Sequence, residues 1–428
     1  MTKTTNPKKA QYITIFIAWV AYVAVYFGRY SYSANITLIE DFYAKSHAEA
    51  GLVMTLFSAA YGIGQIFHGL FCKRYPKRWV IPISLTVSAV MDLLVFSGIP
   101  FGWIKYLWFT AAVFQSALWP TIMQVISENV EEKLLRTAIM VMSTTTSCGT
   151  LLVYGLSAAM AGVDFHLTFL IGTFVLLGAG LLWLLLYRKG HELEKAAEKA
   201  ARTSAKPGEE AAEQTAAPAP KTSKRAIGIG VIITISLLVF CSVMVNFGKD
   251  GLQTWVPVIL KKVHGMPDSY SILLTLVLPL FGIFGAAGSV QLNKKIKSPV
   301  VLTLVFLGVI AVFDFIVVVS YRNLPVMLAA FASLEFLLHG CCNVITGIFP
   351  LSMREKMSTG MLTGILNGSG YAGTAAASYV LGKIADVTGG WTWVFVTLLG
   401  TAVTALILGV IYLIFSRKPG KQNNEVTV

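Results

Sequence analysis

The feature that most constrains this chain is a succession of apolar runs, twelve in our reading. Each is about as long as the ~20 residues that cross a bilayer core as a helix. Hydrocarbon offers no water to backbone N–H and C=O groups, so a spanning segment either forms a helix or joins a closed barrel. Barrel strands are about 9–11 residues long and alternate polar with apolar. These runs are longer and continuous. They predict an all-α membrane protein with spans at 12–38, 49–72, 79–98, 104–127, 137–160 and 166–187. Six more follow at 226–260, 269–292, 299–320, 324–350, 359–384 and 391–416. The first run is too long for a cleaved signal segment, so it is expected to remain as a helix.

Charge agrees with this. Only 13% of residues are charged, about half the roughly 25% of a soluble domain. A net charge of +13 would suggest nucleic acid in a soluble chain, but here Lys and Arg sit in short loops between spans. Lys3, Lys8 and Lys9 precede the first span, and Lys73, Arg74, Lys77 and Arg78 follow the second. Lys133 and Arg136 follow the fourth, Lys294, Lys295 and Lys297 the eighth, and Arg417, Lys418 and Lys421 the last. All fall on one side, while the opposite loops hold isolated cations such as Lys45, Lys105 and Arg322. Basic loops stay in the cytoplasm, so both termini are expected there, with a lipid bilayer and not a nucleic acid as the partner. Short external loops and the lack of a targeting segment point to a bacterial inner membrane. Cys72, Cys148, Cys241, Cys341 and Cys342 fall in or at the ends of apolar runs without ligand spacing, and read as packing residues.

The one long polar stretch, 190–225, is rich in Ala, Lys, Glu and Pro, which predicts a partly helical, largely disordered linker. It divides the chain into a six-helix bundle at 1–189 and a second at 226–428. The two resemble each other at an offset of 220: Val25-Tyr26-Phe27-Gly28-Arg29 lies against Val245-Asn246-Phe247-Gly248-Lys249, and Tyr61-Gly62-Ile63 against Phe281-Gly282-Ile283. Each third span carries one acid, Asp92 or Asp314. Paired six-helix repeats suit alternating access, in which one half rocks against the other around a shared site.

Away from loops and helix ends, the spans hold two cations, Arg29 and Lys249, at equivalent positions of the repeats. A cation at mid-bilayer costs roughly 2.5–3.5 kcal/mol on insertion scales, and such residues usually face a water-filled cavity. Two of them beside a pseudo-twofold axis suit an anionic small molecule. The alternative is structural pairing with Asp92, Asp250 or Glu335. Asp250 directly follows Lys249, and adjacent helical residues diverge by about 100°, so it reads as a poor partner.

Tyr22, Tyr26 and Arg29 share one helix face by spacing. They offer two hydroxyls and a guanidinium fork suited to phosphate or carboxylate; packing between helices is the other role open to the tyrosines. Trp119 and His339 are cavity candidates, whereas His68, near a span end, reads as structural. Asp250, Asp314 and Glu335 are candidates for proton coupling, with structural pairing equally open. Ser143 to Ser147 and the Gly-rich run from Asn367 to Gly373 read mainly as close-packing surfaces. There is no phosphate-binding loop, metal-ligand cluster or nucleophile elbow, so neither an enzyme nor a cofactor is expected.

At these residues the chain resembles the organophosphate:phosphate antiporter family of the major facilitator superfamily, which includes the glycerol-3-phosphate and hexose-phosphate transporters. The likeness rests on Tyr22, Tyr26 and Arg29; on Lys249, Gly251, Trp255 and Pro257; on Trp119-Pro120; and on Thr359-Gly360, Gly364, Gly370-Tyr371-Ala372-Gly373, Ala375-Ala376-Ala377-Ser378, Asp386 and Gly390-Trp391. It implies the twelve-helix major facilitator fold. It also implies a substrate phosphate gripped at Arg29 and Lys249, with Tyr22, Tyr26, Trp119 and Tyr371 lining the cavity and inorganic phosphate as counter-substrate. Lys249 replaces the family's second arginine, Gln65 a helix-2 lysine and Thr146 a helix-5 histidine, and Lys73 and Pro76 stand in the loop motif where an aspartate and a glycine are usual. The site thus holds less positive charge than the family pattern.

The sequence therefore predicts a monomeric secondary transporter of a small organic anion, phosphorylated or phosphonate-like, in exchange for inorganic phosphate. The alternatives are a proton-coupled carboxylate symporter and a non-transporting membrane sensor of the same fold.

Overall fold

The structure, a computed structural model, describes residues 7–204, 228–353, 356–357 and 359–416. Among these there are helices and short connections but no strand. The described residues form twelve long helices. In the first half they are α1 (Lys9–Ala34), α2 (His47–Phe71), α3 (Lys77–Phe96), α4 (Phe101–Asn129), α5 (Lys133–Met160) and α6 (His166–Ser204). In the second they are α7 (Ile229–His264), α8 (Asp268–Lys295), α9 (Pro299–Ser320), α10 (Leu324–Ser352), α11 (Thr359–Thr388) and α12 (Thr392–Ser416). Eleven are long and apolar enough to cross a membrane. The other, α11, is ample in length at 30 residues, but Asn367, Ser369, Tyr371, Thr374 and its glycines dilute its apolarity. On α9, Val312, Phe315 and Val319 are each more than half exposed, making an outer face that lipid would cover.

Several spans predicted as single helices are broken, and the breaks have local causes. A proline lacks the N–H that would bond the carbonyl four residues back. Accordingly α4 is interrupted after Gln115, one turn before Pro120, and α8 after Thr275, one turn before Pro279. In α10 the segment Val344–Ile348 widens into a π turn just ahead of Pro350. Pro257 is carried inside α7 without a break. In α5 the interruption is at Thr144, where the hydroxyls of Thr144 and Thr145 donate to the carbonyls of Val141 and Met142 at 2.8 and 2.6 Å and compete with the helix ladder. In α1 it falls at Tyr26, within the predicted site. The linker expected from residue 190 begins as a continuation of α6, which runs to Ser204; the rest of it, like Lys3 and the basic residues from Arg417 on, lies outside the described residues.

The packing repeats with a period of six helices. The pair α3–α6 corresponds to α9–α12, α1–α5 to α7–α11, and α2–α4 to α8–α10. Between the halves, α2 packs along α11 and α5 along α8, the arrangement a twofold operation requires. Glycine makes the tightest of these contacts possible. A Cβ at Gly51 would lie 2.1 Å from the Ser378 carbonyl oxygen, and one at Gly373 2.0 Å from that of Val243. Helix α11 is thus pressed between α2 and α7, which accounts for its small residues.

Candidate functional site

The two halves enclose a cavity of about 410 Å³. Arg29, Lys249, Tyr22, Tyr26, Gln65, Trp119, Thr146, His339 and Tyr371, the nine predicted substrate-site residues, all line it, with Asp250. Helices α1, α2, α4 and α5 of one half and α7, α10 and α11 of the other contribute.

Arg29 is 7% exposed. Its guanidinium lies over the ring of Tyr61 at 4.3 Å and near that of Tyr26 at 5.1 Å. Its Nε and Nη2 have no hydrogen-bond partner among the described residues. Buried donors left unpaired are costly, and these two belong to a planar fork that matches a carboxylate or phosphate. The surrounding aromatic groups are held in place: Tyr26 OH meets Thr146 Oγ1 at 2.7 Å, Tyr22 packs against Trp119 at a tilt with ring centroids 4.8 Å apart, and Tyr61 packs against Tyr371 at 5.1 Å. Tyr22 and Tyr26 therefore both line the cavity and pack between helices.

Lys249 differs from the sequence expectation. Its Nζ donates to Asp250 Oδ1 at 2.6 Å, so Asp250 is its partner after all. The 100° between successive Cβ directions is bridged because four methylenes let the ammonium swing back toward its neighbour. Asp250 Oδ2 also accepts from Thr374 Oγ1 of α11.

The other acids lie apart. Asp314 borders a small void between α7, α9 and α12 with Gly248, Leu252 and Leu398, outside the main cavity. Asp92 is buried, pairs with neither cation, and has no hydrogen-bond partner on either oxygen among the described residues. Glu335 is 0% exposed, one turn along α10 from His339, whose Nδ1 is 3.2 Å from Glu335 Oε1. His68 bonds Tyr75 OH at 2.6 Å, in keeping with a structural role.

Sequence reasoning missed several lining or bracing groups. Tyr61, one turn before Gln65, accepts from Gln65 Nε2 at 3.1 Å. Asn246 and Gln253 lie a turn to either side of Lys249, so spacing alone marks them. Asn367 Nδ2 donates to Gln65 Oε1 at 3.3 Å across the halves, a contact no local pattern reveals.

One end of the cavity is sealed by contacts between the halves. His47 and Ala48, at the start of α2, donate their backbone N–H groups to Asp386 of α11 at 3.0 and 2.7 Å. The short helix Ile36–Tyr43 brings Asp41 to Lys261 and, at 3.6 Å, to Lys262. Beside it, Glu40 Oε1 is 2.9 Å from His47 Nδ1.

Comparison with known proteins gives a consistent picture. The family model described as Major Facilitator Superfamily matches residues 18–354. Sugar phosphate exchanger 3 of Mus musculus is 22% identical over 382 residues, 81% of this chain and 76% of its own. The Membrane sensor protein UhpC of Escherichia coli (strain K12) is 23% identical over 404 residues, covering 91% and 89%. A solved structure of a bacterial homolog to the human lysosomal transporter Spinster, inward-facing and occupied, superposes with a TM-score of 0.64. At 17% identity over 94% of this chain and 96% of that one, the likeness is one of fold.

Proposed function

Because the chain belongs to the major facilitator superfamily, we propose that it is a secondary active transporter of a small organic anion, an organophosphate or phosphonate-like metabolite. Inorganic phosphate is the counter-substrate, and the two halves (1–189 and 226–428, joined by 190–225) rock about the cavity. The observation that carries this reading is the buried Arg29 fork, whose Nε and Nη2 lack partners among the described residues and which lines a cavity between the halves with Tyr26. An entering oxyanion satisfies those donors in a low-dielectric site, where the contact is strongest. The exchanger among the relatives supports a phosphate-bearing substrate.

In this reading the protein is a monomer in the bacterial inner membrane with cytoplasmic termini. The end sealed by Asp386 is then the external one, and the cavity is served from the cytoplasm. Arg29, Lys249, Tyr22, Tyr26, Gln65, Trp119, Thr146, His339 and Tyr371 contact the substrate. The test is a thermal-shift panel on purified protein with inorganic phosphate, phosphate esters, phosphonates and carboxylates, repeated on Arg29→Ala. Ligands that bind the folded state raise its Tm by mass action. Stabilisation by phosphates that vanishes in the variant supports the reading, and stabilisation that survives Arg29→Ala sinks it.

Proton-coupled carboxylate symport is a second reading, favoured by the His339–Glu335 contact leading from the cavity to a fully buried acid. Carboxylates alone as hits in the panel would favour it. A sensor role has one support, the relative described as a membrane sensor; ligand binding without transport in vesicles would select it.

A further inference from the structure

Resting on the anion-transport reading, we propose that Asp250 is the specificity-determining residue of this site: as the resident counter-ion of Lys249 it restricts the cavity to singly charged anions. Among the described residues, three side chains of formally charged type line the cavity: Arg29, Lys249 and Asp250. Lys249 and Asp250 neutralise one another at 2.6 Å, and Thr374 Oγ1 holds the second carboxylate oxygen from α11. One positive charge remains, on Arg29, whose Nε and Nη2 have no partner among the described residues.

A singly charged oxyanion therefore matches the cavity. A doubly charged one leaves a negative charge uncompensated in a poorly solvated space, or must expel Asp250 from Lys249, which transfers the same deficit to Asp250. The other titratable groups facing this cluster, among the described residues, are Tyr22, Tyr26 and Tyr30 of α1, Cys342 and His339 of α10, and Tyr371 of α11. None is a fixed cation. The class selected is an anion of unit charge: a phosphodiester, a monocarboxylate, or a phosphate in its singly ionised form.

Methyl phosphate and dimethyl phosphate separate charge from shape. A phosphate monoester has its second pKa near 6, whereas the diester carries one charge throughout. With the purified full-length protein, thermal-shift titrations at pH 6 and pH 8 should give dimethyl phosphate the same apparent affinity at both. Methyl phosphate should weaken about fiftyfold, following its singly charged fraction. In Asp250→Asn, whose cavity carries one more positive charge, the loss of methyl phosphate affinity at pH 8 should disappear. The wild-type comparison needs no variant, and the ligand-free Tm of Asp250→Asn shows whether that variant is folded. Methyl phosphate binding as well or better at pH 8 in the wild type would overturn the proposal. So would a folded Asp250→Asn with an unchanged profile. If no phosphate or carboxylate of either charge stabilises the wild type, the transport reading fails and this proposal falls with it.

Discussion

Asp386 Oδ2 accepts the Ala48 backbone N–H at 2.7 Å while Oδ1 takes that of His47 at 3.0 Å, so a carboxylate of α11 caps the first turn of α2 from the opposite half. Ser46 caps the same turn from within, accepting from Glu49 N at 3.3 Å. The free N–H groups and positive end of a helix attract an anion here, and in the proposed rocking of the halves that anion belongs to the one that would move away as the sealed end opens.

Asp386→Ala should therefore favour the open form. Loss of a helix cap costs about 0.5–2 kcal/mol, which changes the ratio of closed to open states by about two- to thirtyfold. Spin labels at Lys45 and Val387, one on each half, should show a longer-distance population that grows in the variant.

Arg29→Ala should weaken binding of the phosphate hits by about a hundredfold or more, since each charge-assisted hydrogen bond contributes ~1.5–3 kcal/mol. Ligand titration followed by Tm measures this, and the ligand-free Tm should change far less.

Lys249→Ala should destabilise the protein more than the double substitution Lys249→Ala with Asp250→Ala. The single change strands a carboxylate in the cavity, whereas the double change removes both charges. A double-mutant cycle on Tm should give a coupling of about 0.5–3 kcal/mol; a coupling near zero would mean the two side chains do not act as a pair.

The sealed end should respond to pH in two opposed ways. Burial pushes the Glu40 carboxyl above its usual range, only partly offset by His47. Partial burial raises Asp41 as well, but Lys261 and Lys262 bring it net below its usual range. A raised carboxyl stabilises the closed form below its ordinary pKa of about 4.3, and that contribution fades as pH rises through the raised value. A lowered one stabilises above about 3.9 and fades as pH falls through the lowered value. Acidification through the raised value should thus tighten the closed end through Glu40, and Glu40→Gln should remove that response in the Lys45–Val387 distance distribution.

Gly373→Val should lower Tm, because its Cβ would fall 2.0 Å from the Val243 carbonyl oxygen. Overpacking of this kind costs typically 1–3 kcal/mol. A variant with unaltered Tm would show that α7 and α11 separate at little cost.

The spans were legible because membrane crossing leaves a coarse signal, apolarity over about 20 residues. The cavity face was legible because Tyr22, Tyr26 and Arg29 share a helical period and the repeat maps Arg29 onto Lys249. The breaks in α4, α8 and α10 follow from Pro120, Pro279 and Pro350, although hydropathy alone smooths over them. The Lys249–Asp250 pair was misjudged because backbone directions say little about where a long flexible side chain places its charge. Asp314 and Glu335 could not be placed from sequence, since burial inside a span does not say which side of the helix faces the cavity. The contacts of Gln65 with Asn367 and of Asp386 with α2 join residues some 300 positions apart, where no local pattern reaches.

The polarity of α11 has a consequence for biogenesis. A segment with Asn367, Thr374 and six glycines from Gly360 to Gly382 gains little from partitioning alone into lipid. Its packing surfaces, α2 and α7, are both synthesised before it. Insertion of α11 should therefore depend on a groove already assembled from earlier helices, which makes it a late and fragile step in the maturation of the chain. Substitutions that widen or block that groove would be read by the cell first as failed insertion, before any defect in transport could be seen.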